Sequence, residues 1–393
     1  MSRPLPLRAN LDWLKKLSKE RLEALRATDP NAKLSDAQLA VAREFGFASW
    51  RKLKGHVVQL RAQLDVIVPP ELLRRAATDA VSPDDADLAE LLAAVHAGDE
   101  RAVADVLARR PALAAAHGPE GQTPLHLAAQ FNDPRLAAVL VAYGANLNAK
   151  FGKSGHTPLS WAATCHALEC ARALIQLGAE ADLFCAAGVG ALAEVQACFD
   201  AEGALRPGAS RTGSSRVASD GSRLPCPPAA AIEQLSDALY IACRTGQAEV
   251  VQFLLGKGPD LSFRAYLGGT PLHWAYFGGS RTTIELVEQA GADRTARDDV
   301  LRCTPRAFGI AIAANWGFDF IVKKLLSGDA GLANAVDRHT SPLHEAARGG
   351  HLHVVRVLLD HHADRHFRDA AGKTPLETAR DGGHASVVEL LSS

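Results

Sequence analysis

Apolar residues recur three and four positions apart in short bursts, and glycines separate the bursts. The stretch from Leu267 to Asp299 shows the pattern most clearly. Leu272 and Ala275 give a short helix one apolar face, and Gly278-Gly279 ends it. Ile284 and Val287 repeat the spacing in a second helix, with Leu286 widening the stripe. Thr270 is placed to cap the first helix, and Pro271 suits its first position, where no N–H is needed. Gly291 suits the left-handed conformation that closes the second helix, and Asp293 opens a polar turn. One such hairpin is too small to bury its own apolar face, so it requires neighbours of the same kind.

The neighbours are present. Thr123-Pro124-Leu125-His126 and Thr270-Pro271-Leu272-His273 share one tetrapeptide. Thr157-Pro158-Leu159-Ser160, Ser341-Pro342-Leu343-His344, Thr374-Pro375-Leu376-Glu377 and Thr304-Pro305-Arg306 are variants, and Asp237-Ala238-Leu239-Tyr240 fits the same frame. The steps are 34 residues from 123 to 157, 33 from 237 to 270, 34 to 304, 37 to 341 and 33 to 374. Turns of the type Gly144-Ala145-Asn146 and Gly291-Ala292-Asp293 follow the second helices, with His362-Ala363-Asp364 as a variant. From about Asp84 onward the chain resembles the ankyrin repeat family. The resemblance implies an all-α fold: a solenoid of about nine helix–turn–helix units with β-turn fingers. It also implies that His126, His273 and His344 make structural hydrogen bonds between repeats rather than bind a ligand.

Three regions result: a small three-helix module at 1–64, a linker at 65–83, and the repeat array at 84–393 with a loop insertion at 201–231. In the module, Leu11, Leu14, Leu17, Leu22 and Leu25 fall at helical spacings. A second helix runs through Leu39, Ala42 and Phe45, and a third through Trp50, Leu53 and Val57. Gln38, Ala42 and Gly46 loosely match a helix-turn-helix, but Lys52 stands where that motif wants an apolar residue. The array opens with Leu88 to His96, which lacks the tetrapeptide, as a terminal copy would. After Gly178 the frame shortens, and the next first helix is expected at 181–187. The insertion is rich in Gly, Ser, Pro and Arg and has no apolar periodicity. It reads as a surface insertion, with a loop folded over the array as the alternative. The repeat from Thr304 is also irregular: its second helix starts about four residues late, which puts Trp316 in the turn.

Charge adds one contrast. Residues 1–64 carry 13 Lys and Arg against 6 Asp and Glu; the remainder carries 30 against 38. A basic head thus precedes an acidic body. Apolar residues make up 47% and charged residues 22%, a globular balance. The seven cysteines contain no C-x-x-C pair and read as reduced core residues. No apolar run is long enough for a membrane helix. The start reads as a charged amphipathic helix rather than a signal peptide. A cytoplasmic, bacterial monomer is expected.

Chemistry is sparse. His361, His362 and His366 are neighbours, but such spacing does not share a helix face, so no metal is expected. No nucleophile elbow and no phosphate loop occurs, so neither a catalytic residue nor a cofactor is expected. The expected function is a non-enzymatic scaffold that binds a protein through the concave face of the array. The alternative is a nucleic-acid-associated regulator that uses the basic head while the array recruits protein. Carried over by frame from the family, the partner-facing positions lie three, four and one residue before the motif Thr, and seven and eight after it. They single out Gln130, Phe131, Lys153, Arg244, Tyr266, Leu267, Phe277, Arg338 and Arg348, with Gln122, Ser154 and His156 in the same frame. Tyr266 and Phe277 are expected to be exposed, and Trp274 to be core.

Overall fold

The computed structural model describes residues 11–27, 29–44, 49–54, 81–152, 154–218, 220–337 and 340–392. Leu7, Phe45, Gly46, Val57, Leu64 and most of the expected linker lie outside these residues. The chain divides into two compact units, Met1–Ala181 and Asp182–Ser393. Among the described residues there is no strand; only isolated bridges, such as Phe151 with His156, mark the finger turns.

The first unit begins with α1 (Leu11–Arg26) and α2 (Leu34–Glu44), followed by a helical turn at 50–54. Leu14, Val41, Ala42 and Leu53 form a small core, with Leu17 and Trp50 against it. Arg51, Lys52 and Lys54 are exposed beside that core. Three hairpins follow: α3 (Ala86–Ala97) with α4 (Glu100–Arg109), α5 (Pro124–Gln130) with α6 (Pro134–Ala142), and α7 (Pro158–Thr164) with α8 (Leu168–Gln176). First helices pack on first helices and second on second, which buries the apolar stripe that each hairpin leaves open.

The second unit holds six more hairpins. These are α9 (Leu183–Val189) with α10 (Leu192–Ala197), α11 (Ala231–Thr245) with α12 (Ala248–Leu255), and α13 (Pro271–Gly278) with α14 (Arg281–Gln289). The last three are α15 (Pro305–Asn315) with α16 (Asp319–Gly328), α17 (Pro342–Arg348) with α18 (Leu352–Asp360), and α19 (Pro375–Asp381) with α20 (Ala385–Ser392). The shortened frame after Gly178 thus still yields a complete pair. In the repeat from Thr304 the extra residues lengthen the first helix by a turn instead of forming a loop, and Trp316 caps it. Helices α9 and α11 pack directly against each other, although the insertion separates them in sequence.

The tetrapeptide explains both the start of each hairpin and the spacing of its neighbours. The Thr123 backbone N–H donates to His126 Nδ1 at 3.2 Å, in the role that Glu or Gln plays in a capping box. The ring proton is therefore on Nε2, which donates to the carbonyl of His156 at 3.1 Å, in the next finger. His273 repeats this toward Cys303, and His344 toward Lys373. Glu377 of the last repeat closes the box on Thr374 with its carboxylate. These are the structural inter-repeat bonds that the resemblance implies. Burial pushes His126 and His273 down to about 4.

Candidate functional site

The expected partner-facing residues separate into three groups. Gln130, Phe131, Tyr266, Leu267 and Arg348 are exposed or half-exposed. Arg244 and Phe277 are buried. Lys153 and Arg338 lie outside the described residues.

In the first unit, Gln130 Oε1 accepts from Trp161 Nε1 at 3.3 Å, and Phe131 lies edge-on to His96 at 4.8 Å. Phe131 is 43% exposed, a large apolar side chain at the end of a first helix. His156 is buried and faces the Ser160 hydroxyl, while Ser154 donates to the Phe151 carbonyl; both therefore serve the finger turn.

In the second unit, the expected exposure of Phe277 is wrong: its side chain is fully buried. Arg244 is 3% exposed. The cause is the lengthened hairpin from Thr304, which carries Trp316 over both. The Trp316 ring centroid lies 5.7 Å from that of Phe277, and the Arg244 guanidinium carbon is 5.3 Å from the Trp316 ring. Trp274 is fully buried, as expected, and stacks on Trp316 at 6.0 Å. Tyr266 is half-buried, with its ring 6.2 Å from both indoles. Leu267 sits beside it at the tip of the finger with φ 56°, and Asp299 N–H donates to its carbonyl.

Arg244 is thus enclosed by rings. Its guanidinium carbon lies 4.6 Å from the Trp274 centroid and 5.1 Å from that of Phe277. Nη1 donates to the Tyr240 hydroxyl at 3.3 Å, and burial pushes that phenol up to about 12. The rings continue outward from Trp316 to Phe318 at 5.6 Å and then to Phe320 at 5.9 Å; Phe320 is 52% exposed. The frame did not single out Tyr240, Trp316, Phe318 or Phe320. The one signal for Trp316, Phe318 and Phe320 was the displaced second helix after Trp316, while Tyr240 stood at the fourth position of its motif copy.

Arg348 is half-exposed and pairs with the fully buried Glu345 at 2.5 Å. Glu345 also accepts from Asn315 Nδ2 at 3.0 Å and from the Thr340 hydroxyl at 2.6 Å. Arg348 is therefore held in place beside the aromatic row's repeat.

The insertion is packed down, against the reading of a surface insertion. Asp182 caps α9 and also accepts from the Arg211 and Thr212 backbone at 2.7 and 2.6 Å. Asp237 lies inside α11, not at its start, and accepts from the Ser214 backbone at 2.9 Å and from its hydroxyl. Between them, Gly213 passes so close that a Cβ there would lie 2.6 Å from Asp237 Oδ2. Among the described residues no group of His, Cys, Asp and Glu is placed to hold a metal ion, and no helix is long and apolar enough to cross a membrane.

A family model for ankyrin repeats matches residues 88–185, 228–298 and 310–393. The chain is 32% identical over 154 residues to the ankyrin repeat and KH domain-containing protein mask-1 of Caenorhabditis elegans, a match covering 39% of this chain and 6% of that protein. It is 34% identical over 124 residues to the transient receptor potential cation channel subfamily A member 1 homolog of the same organism, covering 31% and 10%. With the putative ankyrin repeat protein YahD of Escherichia coli it shares 30% over 162 residues, covering 39% and 77%. The chain therefore spans only a small part of the first two relatives and about three quarters of YahD. With three copies of the family model along a row of hairpins set by the Thr-Pro-Leu-His frame, the chain belongs to the ankyrin repeat family.

Proposed function

We propose that the chain is a non-enzymatic protein-interaction scaffold, and that its partner binds the first-helix and finger face of the second unit, around the repeats from 237, 270 and 304. Ankyrin repeats are protein-interaction modules. The observation that carries the reading is the aromatic row: half-exposed Tyr266, Trp316 and Phe318 leading to exposed Phe320. Aromatic residues backed by a buried Arg are the composition of an interface anchor. Leu267 at the finger tip and Arg348 on the neighbouring helix extend the same face. Gln130 and Phe131 are the corresponding face of the first unit. We place this activity in the cytoplasm of a bacterium. The nucleic-acid alternative rests on the charge of the head and its exposed Arg51, Lys52 and Lys54.

Affinity capture with the full chain, compared with a Tyr266→Ala/Phe320→Ala double variant, tests the proposal. Both side chains reach solvent, so the variant is expected to fold and to lose the partner. Undiminished recovery removes this face from consideration.

A further inference from the structure

The guanidinium of Arg244 has one edge that the protein does not use. Nη1 is given to Tyr240. On the opposite edge, Nε is sealed with no acceptor, and Nη2 makes no hydrogen bond with a described residue. The indole Nε1 of Trp274, whose ring lies against the guanidinium, is a second buried donor without an acceptor. Among the described residues no carboxylate pairs with Arg244. The buried carboxylate of its own helix, Asp237, is two turns away and held by Ser214.

Buried donors are normally satisfied, and a buried charge is normally paired. Rings offset part of the charge but accept no in-plane N–H. Here the buried unpaired donor is Nε, on the edge where Nε and Nη2 present parallel N–H groups to a planar pair of oxygens. Trp274 Nε1, beside the Gly269 backbone, is a further unpaired donor in the same cluster of rings. Each of these donors asks for an acceptor, and the positive charge asks for an anion. We propose that Arg244 and Trp274 form a carboxylate-binding site, and that the occupant is an Asp or Glu side chain within an aromatic-containing segment of a protein partner. This rests on the reading of the aromatic row as the partner face.

The surroundings favour an internal segment over a chain end. Arg244 lies on an interior helix, with α9 packed on one side of it and α13 on the other. A partner lying along the row continues past the site in both directions. Tyr266 controls access, since its ring lies against both indoles and is itself half-exposed. Phe318 and Phe320 offer a surface for the partner's ring next to the carboxylate.

The full chain tests this with three peptides: N-acetyl-Asp-Phe-amide, its isosteric N-acetyl-Asn-Phe-amide, and N-acetyl-Ala-Phe with a free C-terminus. The readout is the Trp274 indole N–H signal in a proton–nitrogen correlation spectrum. The Asp peptide is expected to shift it saturably at about millimolar concentration, at least about tenfold tighter than the Asn peptide. Arg244→Lys, which keeps the charge but loses the fork, is expected to weaken the Asp peptide by a similar factor. Equal binding of Asp and Asn peptides, no saturable shift, or tighter binding of the free C-terminus overturns the proposal. Should Arg244→Lys fail to fold, the Asp-to-Asn contrast on the unaltered chain decides alone. Loss of that contrast with partner capture still dependent on Tyr266 and Phe320 sinks the carboxylate site and leaves the protein-binding face standing.

Discussion

The Nε2–H of His273 donates to the carbonyl of Cys303, thirty residues further along, at 3.1 Å. The same ring closes the cap at Thr270 through Nδ1 at 3.1 Å. One neutral imidazole thus fixes both the start of a helix and its distance to the next finger. It can do so only while uncharged, because a protonated ring has no acceptor for the Thr270 N–H.

That requirement makes stability depend on pH. Burial lowers His126 and His273 from an ordinary 6.5 to about 4. In the unfolded chain both rings take up a proton near pH 6.5. Their contribution is therefore fully present above about 6.5 and is lost as pH falls toward about 4. The loss amounts to roughly 3 kcal/mol per ring over the whole window. His273→Gln keeps an acceptor for the cap and removes the titration. A denaturation midpoint followed from pH 7.5 to 4.5 is expected to fall less steeply in this variant than in the parent. Parallel curves count against the imidazole as the cause.

The array is legible in sequence because Thr-Pro-Leu-His carries its own local geometry: a capping hydroxyl, a proline without N–H and a ring that reaches the next copy. The exposure of individual positions is not legible in the same way. The seventh residue after the motif Thr is exposed in Gln130 and Arg348 but buried in Arg244 and Phe277. What differs is the length of the hairpin from Thr304, whose extra turn brings Trp316 over both residues. A repeat frame records a residue's place in its own hairpin, not the reach of a neighbour's. The insertion is hidden for a related reason. Its Gly, Ser and Pro content describes the local backbone, while its anchors, Asp182 and Asp237, lie 29 and 23 residues from Arg211 and Ser214.

Phe277 and Tyr266, two aromatics seven and minus four residues from the same Thr, are expected to behave in opposite ways. Phe277→Ala empties a fully buried site between Arg244, Trp274 and Trp316, with a loss of about 3–5 kcal/mol of stability. Tyr266→Ala removes a half-exposed ring and is expected to change stability by about 1 kcal/mol or less. Chemical denaturation of both variants separates them. A Phe277→Ala protein as stable as the parent contradicts its placement in the core.

Gly309 marks the closest approach of α13 and α15. A Cβ added there would lie 2.6 Å from the carbonyl carbon of Tyr276, which is backbone and cannot turn aside. Gly309→Ala usually favours a helix by propensity. Here the clash is expected to dominate, for a net loss of about 1–3 kcal/mol and a lower melting temperature. A stabilised variant shows that the two helices are further apart than this.

The insertion gives the last prediction. Thr212, Gly213 and Ser214 lie buried between Asp182 and Asp237, while Arg206 and Arg223 on either side are exposed. Arg216 is buried, with its guanidinium 4.9 Å from the Phe263 ring. Trypsin should therefore cut the native chain after exposed Arg223 well before Arg216, whereas the Arg206–Pro207 bond resists trypsin. Burial raises Asp237 from 3.8 to about 6, and the two Ser214 donors oppose that rise. Ser214→Ala deletes one donor, so the Asp237 carboxyl is expected to titrate higher still. The segment then loses a hydrogen bond to a charged acceptor, worth about 1.5–3 kcal/mol. Cleavage after Arg216 is expected to accelerate severalfold at pH 7.5, where the carboxylate is ionised. Because a raised carboxyl pKa contributes stability that is present below about 3.8 and lost as pH rises through about 6, Asp237 acts with the opposite sign to the histidines. Carbon-detected titration of Asp237 and timed proteolysis, read in the same pair of proteins, check both effects. Unchanged cleavage at Arg216 together with an unchanged carboxyl titration shows that Ser214 does not hold the loop.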